Sequence, residues 1–203
     1  MTLGRLHVLT DARVGRDALG LVERALAGGA PVIQLRVKEQ PDRSVYELGL
    51  RVVAACASYG AACIVNDRVD LALAIGAQGT HLGADDLPVA QVRRIAGPGH
   101  LIGGTARDPV RAAELVAEGA DYLGVGPAYS TSTKDGLPDP IGPAGVGAVA
   151  RAVAVPVIAI GGITAARVKD LLAEGAHGVA VVGAVSDADD PAAATRELLA
   201  VLP

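Results

Sequence analysis

GGAPVIQL, residues 28–35, joins the end of a helix to a strand. Before it, residues 17–27 carry apolar side chains at i, i+3, i+4 and i+7, the mark of an amphipathic helix. The glycine offers the left-handed conformation that ends such a helix. Val-Ile-Gln-Leu then reads as a strand. The same passage recurs as GAQGTHLG at 76–83, GADYLGVG at 119–126 and GAHGVAVV at 175–182, with starts 48, 43 and 56 residues apart. Each interval holds about two strand–helix units. Working outward, apolar runs predict strands over 6–10, 31–38, 62–67, 80–83, 101–105, 122–126, 157–161 and 178–183. Most are rich in Val, Ile and Leu rather than alternating, as parallel strands covered on both faces are. Helical patterns lie between them, among them 44–57, 109–118 and 165–174. Eight such units predict a (β/α)8 TIM barrel, a single compact domain over 1–203. The echo falls on the second, fourth, sixth and eighth strands, which is natural in a closed ring. Helix-glycine-strand junctions also occur elsewhere, and the open alternative is a doubly wound sheet. That fold more often shows a glycine-rich dinucleotide fingerprint after its first strand, and TDARVGR at 10–16 has none.

Composition narrows the function classes. Hydrophobic residues make up 51% of the 203, with four Tyr, no Phe and no Trp, so the core is built from Ala, Val, Leu and Ile. Aromatic platforms for single-stranded nucleic acid are missing. A net charge of −4 argues further against a polyanion partner, although a small phosphorylated ligand needs only a local cluster of donors. Residues 1–10 lack the basic and apolar regions of a secretory signal, and no run approaches the ~20 apolar residues of a membrane helix, so a cytoplasmic protein is expected. Cys56 and Cys63 read as buried free thiols, with a single disulfide as the alternative. The four His show no zinc spacing.

The chemistry concentrates at the predicted strand ends. In QLRVK at 34–38, strand alternation turns Gln34, Arg36 and Lys38 to one face, inward in a barrel. Two cations and an amide in an apolar mouth call for an anion; internal salt bridges to Asp67 and Glu39 are the plainer reading. Asp67 ends the third strand, and Asp85 and Asp86 follow the fourth. Carboxylates beside a diphosphate suggest an intervening Mg2+, which takes one or two carboxylates plus phosphate oxygens. Asp86 would equally serve as a helix cap. After the sixth strand comes GPAYSTSTKDG at 126–136, a hydroxyl-rich, Lys-bearing loop that reads as a phosphate-binding lid or as a plain polar loop. Glycines at 161, 162 and 183, after strands seven and eight, suit the phosphate site common in this fold, or a structural role.

Together QLRVK (34–38), NDR (66–68), HLGADDLP (81–88), GADYLGVGPAYSTSTK (119–134) and AIGGIT (159–164) resemble the thiamine-phosphate synthase family over nearly the whole chain. The resemblance implies a transferase that joins hydroxymethylpyrimidine diphosphate to thiazole phosphate and releases diphosphate, with Mg2+ required. It puts Gln34, Arg36, Lys38, Asn66 and Lys134 on the pyrimidine diphosphate, and Asp67 and Asp86 on Mg2+. It puts Thr131, Thr133, Gly161, Gly162, Val182 and Gly183 on the thiazole phosphate. Thr105 stands where the family usually has a Ser that assists near the diphosphate. Lys134, Arg36 and Thr105 are therefore the expected catalytic residues, in a dissociative reaction whose pyrimidine-methyl cation the thiazole nitrogen captures. The implied partners are small-molecule substrates, with no nucleic acid and no membrane; a homo-oligomer is left open. His7, Ala84, Gly104 and Arg107 depart from the family pattern. Two alternatives stand beside the synthase. A thiazole tautomerase of the same superfamily would need a His near position 107, and a non-catalytic precursor-binding paralogue would not need the leaving-group cations.

Overall fold

The computed structural model describes residues 3–11, 15–38, 40–131, 133, 136 and 138–203. Its strands are β1 (Leu6–Leu9), β2 (Val32–Leu35), β3 (Ala62–Asn66), β4 (Gly79–Leu82), β5 (Leu101–Ala106), β6 (Tyr122–Val125), β7 (Val157–Ile160) and β8 (Gly178–Val181). Each pairs in parallel with its sequence neighbours, and β8 closes on β1, so the sheet is a barrel in sequence order. The helices are α1 (Ala18–Ala27), α2 (Asp42–Tyr59), α3 (Val69–Ile75), α4 (Val89–Ala96), α5 (Pro109–Ala117), α6 (Gly142–Ala152), α7 (Ala165–Ala173), the single turn α8 (Gly183–Ser186) and α9 (Pro191–Ala200). The predicted closed barrel is therefore the fold, and the doubly wound alternative falls. Among the described residues no helix is long and apolar enough to cross a membrane.

Two apolar layers hold the barrel. Strand residues such as Ile33, Leu35, Cys63, Val65, Ile102, Leu123 and Val179 face outward and pack with the buried sides of the helices. Their alternates Leu9, Val32, Ile64, Tyr122, Ile158 and Ala180 form a smaller cluster. In a closed barrel those alternates point inward. Cys56 on α2 and Cys63 on β3 are both buried free thiols. Aspartates at 17, 108 and 190 cap α1, α5 and α9 by accepting backbone N–H groups. The echoed glycines mark the helix-to-strand turns as expected, with one shift. Gly76, Gly119 and Gly175 have positive φ, whereas Gly28 stays helical and Gly29 takes the left-handed turn at φ 95°.

Most strands stop a residue or more before the predicted end. The shortening matters most in β2, which ends at Leu35. Alternation therefore places Gln34 inside the barrel, while Arg36 and Lys38 stand on the loop that follows. That corrects the expectation of three side chains aligned along one strand. The loop is nevertheless tied down at its start, because the buried Thr10 hydroxyl bonds both backbone groups of Arg36.

Candidate active site

β3 and β4 build the acidic side of the mouth. Register sets Asn66 against His81. The next residue, Asp67, donates its N–H to the His81 carbonyl at 2.8 Å and takes φ 66°. Asp and Asn are among the few residues that tolerate this left-handed region. Asp86 Oδ2 accepts the Gly83 N–H at 2.6 Å. Asp86 is thereby spent on the loop after β4 and does not cap α4, whose cap position is Pro88. The two carboxyl groups adjoin. Burial first, then a hydrogen bond to Asp86 and its charge, push the Asp67 carboxyl up to about 6, while Lys38 and Arg36 pull it down. Neither cation forms an ion pair among the described residues, so the salt bridge to Asp67 is not made; Glu39 lies outside the described residues.

This donor set fits a hard divalent cation. Among the described residues no third His, Cys, Asp or Glu joins the pair into a closed metal cage. Two carboxylates with room for phosphate and water oxygens is how Mg2+ is usually held.

Gln34 supplies a second pointer. It is 3% exposed, and its Oε1 has no hydrogen-bond partner among the described residues. A buried orphan acceptor costs about 1–3 kcal/mol. It calls for a ligand N–H. Across the barrel, His81 Nε2 lies 3.0 Å from Thr105 Oγ1, and both side chains are partly exposed. Burial pushes the His81 imidazole down to about 4, so it is neutral near pH 7.

The far side is built by β6, β7 and β8. The chain after β6 lies along the end of β7: Ala128 N–H donates to Ile160 O at 2.7 Å, and Tyr129 N–H to Gly161 O at 3.0 Å. A Cβ on Gly161 would sit 2.6 Å from Pro127 Cβ, and one on Gly162 would strike the Ser130 carbonyl. These two glycines therefore have a structural task, seating the β6 loop, as well as leaving main chain open. Thr131 and Thr133 hydroxyls are 3.1 Å apart, and Thr133 Oγ1 lies 3.8 Å from where a Cβ on Gly183 would be. The loop hydroxyls thus reach the start of α8, which Val182 precedes. Lys134 lies outside the described residues.

Two groups stand at the C-terminal strand ends. Gln34, Arg36, Lys38, Asn66, Asp67, Asp86 and Thr105 come from β2 to β5, and Thr131, Thr133, Gly161, Gly162, Val182 and Gly183 from β6 to β8. The departures from the family pattern sit mostly apart from both. His7 is 1% exposed, bonds Gly4 O through Nε2 at 3.1 Å and lies against Tyr122, towards the strands' N-terminal ends. Gly104 backs onto Leu115, and Arg107 donates to the Asp139 carbonyl at 2.6 Å. Sequence reasoning assigned nothing to Thr10, His81 or Tyr122. The alternation of GTHLG, which turns Gly79, His81 and Gly83 to one face, was the available signal for His81.

The thiamine monophosphate synthase family model matches residues 6–185. The thiamine-phosphate synthase of Salinispora tropica is 56% identical over 204 residues, covering 99% of this chain and 98% of that protein. That of Chloroflexus aurantiacus is 45% identical, covering 98% and 92%. Among solved structures, the thiamine phosphate pyrophosphorylase from Pyrococcus furiosus superposes with a TM-score of 0.89 at 38% identity, covering 97% of this chain and 94% of that one. With a full-length match to the curated synthases and a barrel whose mouth carries the acids and cations described, the chain belongs to the thiamine monophosphate synthase family.

Proposed function

We propose that this chain couples hydroxymethylpyrimidine diphosphate to thiazole phosphate, forming thiamine phosphate and releasing diphosphate. As a family member it is a transferase. The observation that carries the residue assignment is the charge pattern of the mouth: adjoining Asp67 and Asp86 carboxyls, with Arg36 and Lys38 close enough to act on Asp67. An anionic substrate beside a divalent cation satisfies both halves of that pattern.

Gln34 accepts an N–H of the pyrimidine through its orphan Oε1. Asn66 ends the neighbouring strand β3, two residues beyond the Ile64 that pairs with Gln34, and serves as a further pyrimidine contact. Arg36, Lys38 and Lys134 neutralise charge growing on the leaving diphosphate, and Thr105 donates its hydroxyl to the same oxygens. Stabilising charge where it develops is usually the largest catalytic term. Asp67 and Asp86 hold Mg2+, which when bound supplies Lewis-acid stabilisation of the diphosphate. Thr131, Thr133, Gly161, Gly162, Val182 and Gly183 hold the thiazole phosphate. The thiazole nitrogen attacks with its own lone pair, so no general base is required. His81, whose ring bonds the Thr105 hydroxyl, is neutral and held between hydroxyls, in keeping with a reaction that needs no proton transfer.

The test is diphosphate release by the purified protein from both substrates, with and without Mg2+. Release that needs both substrates and Mg2+ is expected. Release in the presence of a chelator would remove the metal role of Asp67 and Asp86. Binding of both substrates without release would favour the non-catalytic paralogue, and isomerisation of the thiazole alone would favour the tautomerase. Lys134→Ala is expected to lower turnover sharply with the fold intact.

A further inference from the structure

Three polar side chains run through the barrel interior beneath the mouth. Tyr122 opens β6 and is 1% exposed, and its Oη lies 3.1 Å from His81 Nδ1. His81 Nε2 lies 3.0 Å from Thr105 Oγ1, which is partly exposed at the strand end. The rings have little freedom. A Cβ on Gly103 would sit 2.5 Å from His81 Nδ1 and collide with the Tyr122 ring, and one on Gly124 would sit 2.8 Å from His81 Cε1. Glycines on β5 and β6 thus leave the space these rings fill.

Both partners of His81 are hydroxyls, each able to donate or accept, so the contacts allow two arrangements. In one, Nδ1–H donates to Tyr122 and Nε2 accepts from Thr105. In the other, Tyr122 donates to Nδ1, Nε2–H donates to Thr105, and the Thr105 hydrogen is turned outward. Counting hydrogens separates them. In the first arrangement the phenol hydrogen has no acceptor: among the described residues His81 is the only hydrogen-bond partner of Tyr122 Oη, and the nearby His7 Nδ1 is itself unpartnered. Ionising the phenol is no escape, because burial pushes Tyr122 well above its usual range. In the second arrangement the Tyr122 and His81 hydrogens both have acceptors. Thr105 then offers its hydrogen at the mouth, where substrate or water accepts it.

We propose that Tyr122 is a positioning residue for the transfer reaction: its hydroxyl fixes His81 as the Nε2–H tautomer, which turns the Thr105 O–H outward as a donor to the departing diphosphate. The proposal rests on the reading of Thr105 as a diphosphate contact.

Nitrogen-15 spectra of the labelled full-length protein at neutral pH, with the His81 signals assigned by their loss in His81→Gln, test the tautomer directly. A protonated Nε2 and bare Nδ1 are expected in the parent, and a mixture of tautomers in Tyr122→Phe. Turnover gives the second readout. Losing one aligned donor outright costs roughly a hundredfold or more. Tyr122→Phe, which only frees the donor's direction, is expected to lower kcat about tenfold with KM nearly unchanged. In a Thr105→Val background the same change should have no further effect, while Thr105→Ser keeps most activity. A parent spectrum showing protonated Nδ1 overturns the proposal whether or not Tyr122→Phe folds, and so do losses that multiply in the double variant. Normal turnover in Thr105→Val would overturn the reading of Thr105 as a diphosphate contact, and the catalytic role of Tyr122 with it, while the parent spectrum would still report the tautomer.

Discussion

The Thr10 hydroxyl donates to the Arg36 carbonyl at 2.7 Å and accepts the Arg36 N–H at 2.8 Å. Just below, the Thr10 N–H donates to Gln34 O at 3.0 Å. One side chain therefore stands in for the next rung of the β1–β2 ladder, and a cation beyond the strand end keeps a fixed backbone. Thr10→Val retains the shape but leaves two backbone groups unpaired. It is expected to destabilise the protein by about 1–3 kcal/mol. It should also raise KM for the diphosphate substrate, with Thr10→Ser restoring both. Denaturant midpoints and initial rates measure the two effects, and a parental KM in Thr10→Val would show that the tether does not serve binding.

The fold was legible because its signals are local. Apolar runs and glycine junctions marked all eight strands, and helix periodicity marked α1, α2, α5 and α7 to within about two residues, while α6 and α9 were not singled out. The acids and cations were legible as residue types at strand ends. What one-dimensional reading could not supply is where each strand stops. That point is set by the cross-strand partner, as Arg36 shows: its place depends on a threonine 26 residues away. The His81–Tyr122 pair was hidden for a similar reason. Its meaning depends on the glycines at 103 and 124, which read in sequence only as small residues.

His7 should make the fold sensitive to acid. Burial, then the charges of His81 and His177, push its imidazole down from 6.5 to about 3, against a raising bond to Gly4 O; Tyr122 packs on the same ring. The unfolded chain binds this proton near pH 6.5 and the native protein does not. Stability from His7 is therefore fully present above pH 6.5 and is lost as pH falls towards 3. Urea midpoints across pH 7.5 to 4.5 should fall less steeply in His7→Leu than in the parent. Equal slopes would mean that His7 already carries its proton in the folded state.

Gly124→Ala tests how tightly His81 is housed. A Cβ there would meet His81 Cε1 at 2.8 Å and Nε2 at 3.0 Å, so the ring must shift away from Thr105. Overpacking of this kind typically costs about 1–3 kcal/mol. A lowered melting temperature together with reduced turnover is expected. Gly136→Ala is the contrast, since a Cβ at Gly136 meets nothing within 4 Å, although its φ of 68° adds some backbone strain. Parental melting and turnover in Gly124→Ala would mean that the neighbouring strand yields instead.

The Asp67–Asp86 pair should trade stability for function. The Asp67 carboxyl rises from 3.8 to about 6 through burial and the neighbouring carboxylate. Between those pH values the native protein holds a proton that the unfolded chain has released. Its stability therefore declines as pH rises from 3.8 to 6, the reverse of a salt-bridged aspartate. Asp67→Asn removes the repulsion, and asparagine accepts the positive φ that position 67 requires. Allowing for solvent screening at a partly exposed site, the gain is about 1 kcal/mol at neutral pH. In a chain of this size that raises the melting temperature by about 2–4 °C without divalent cation, and the gain should vanish below pH 4. Diphosphate release should be lost in the same variant, because one of the two carboxylates that would hold the cation has gone. A less stable Asp67→Asn at pH 7.5 would show that the cations at positions 36 and 38 already offset the repulsion in the free protein.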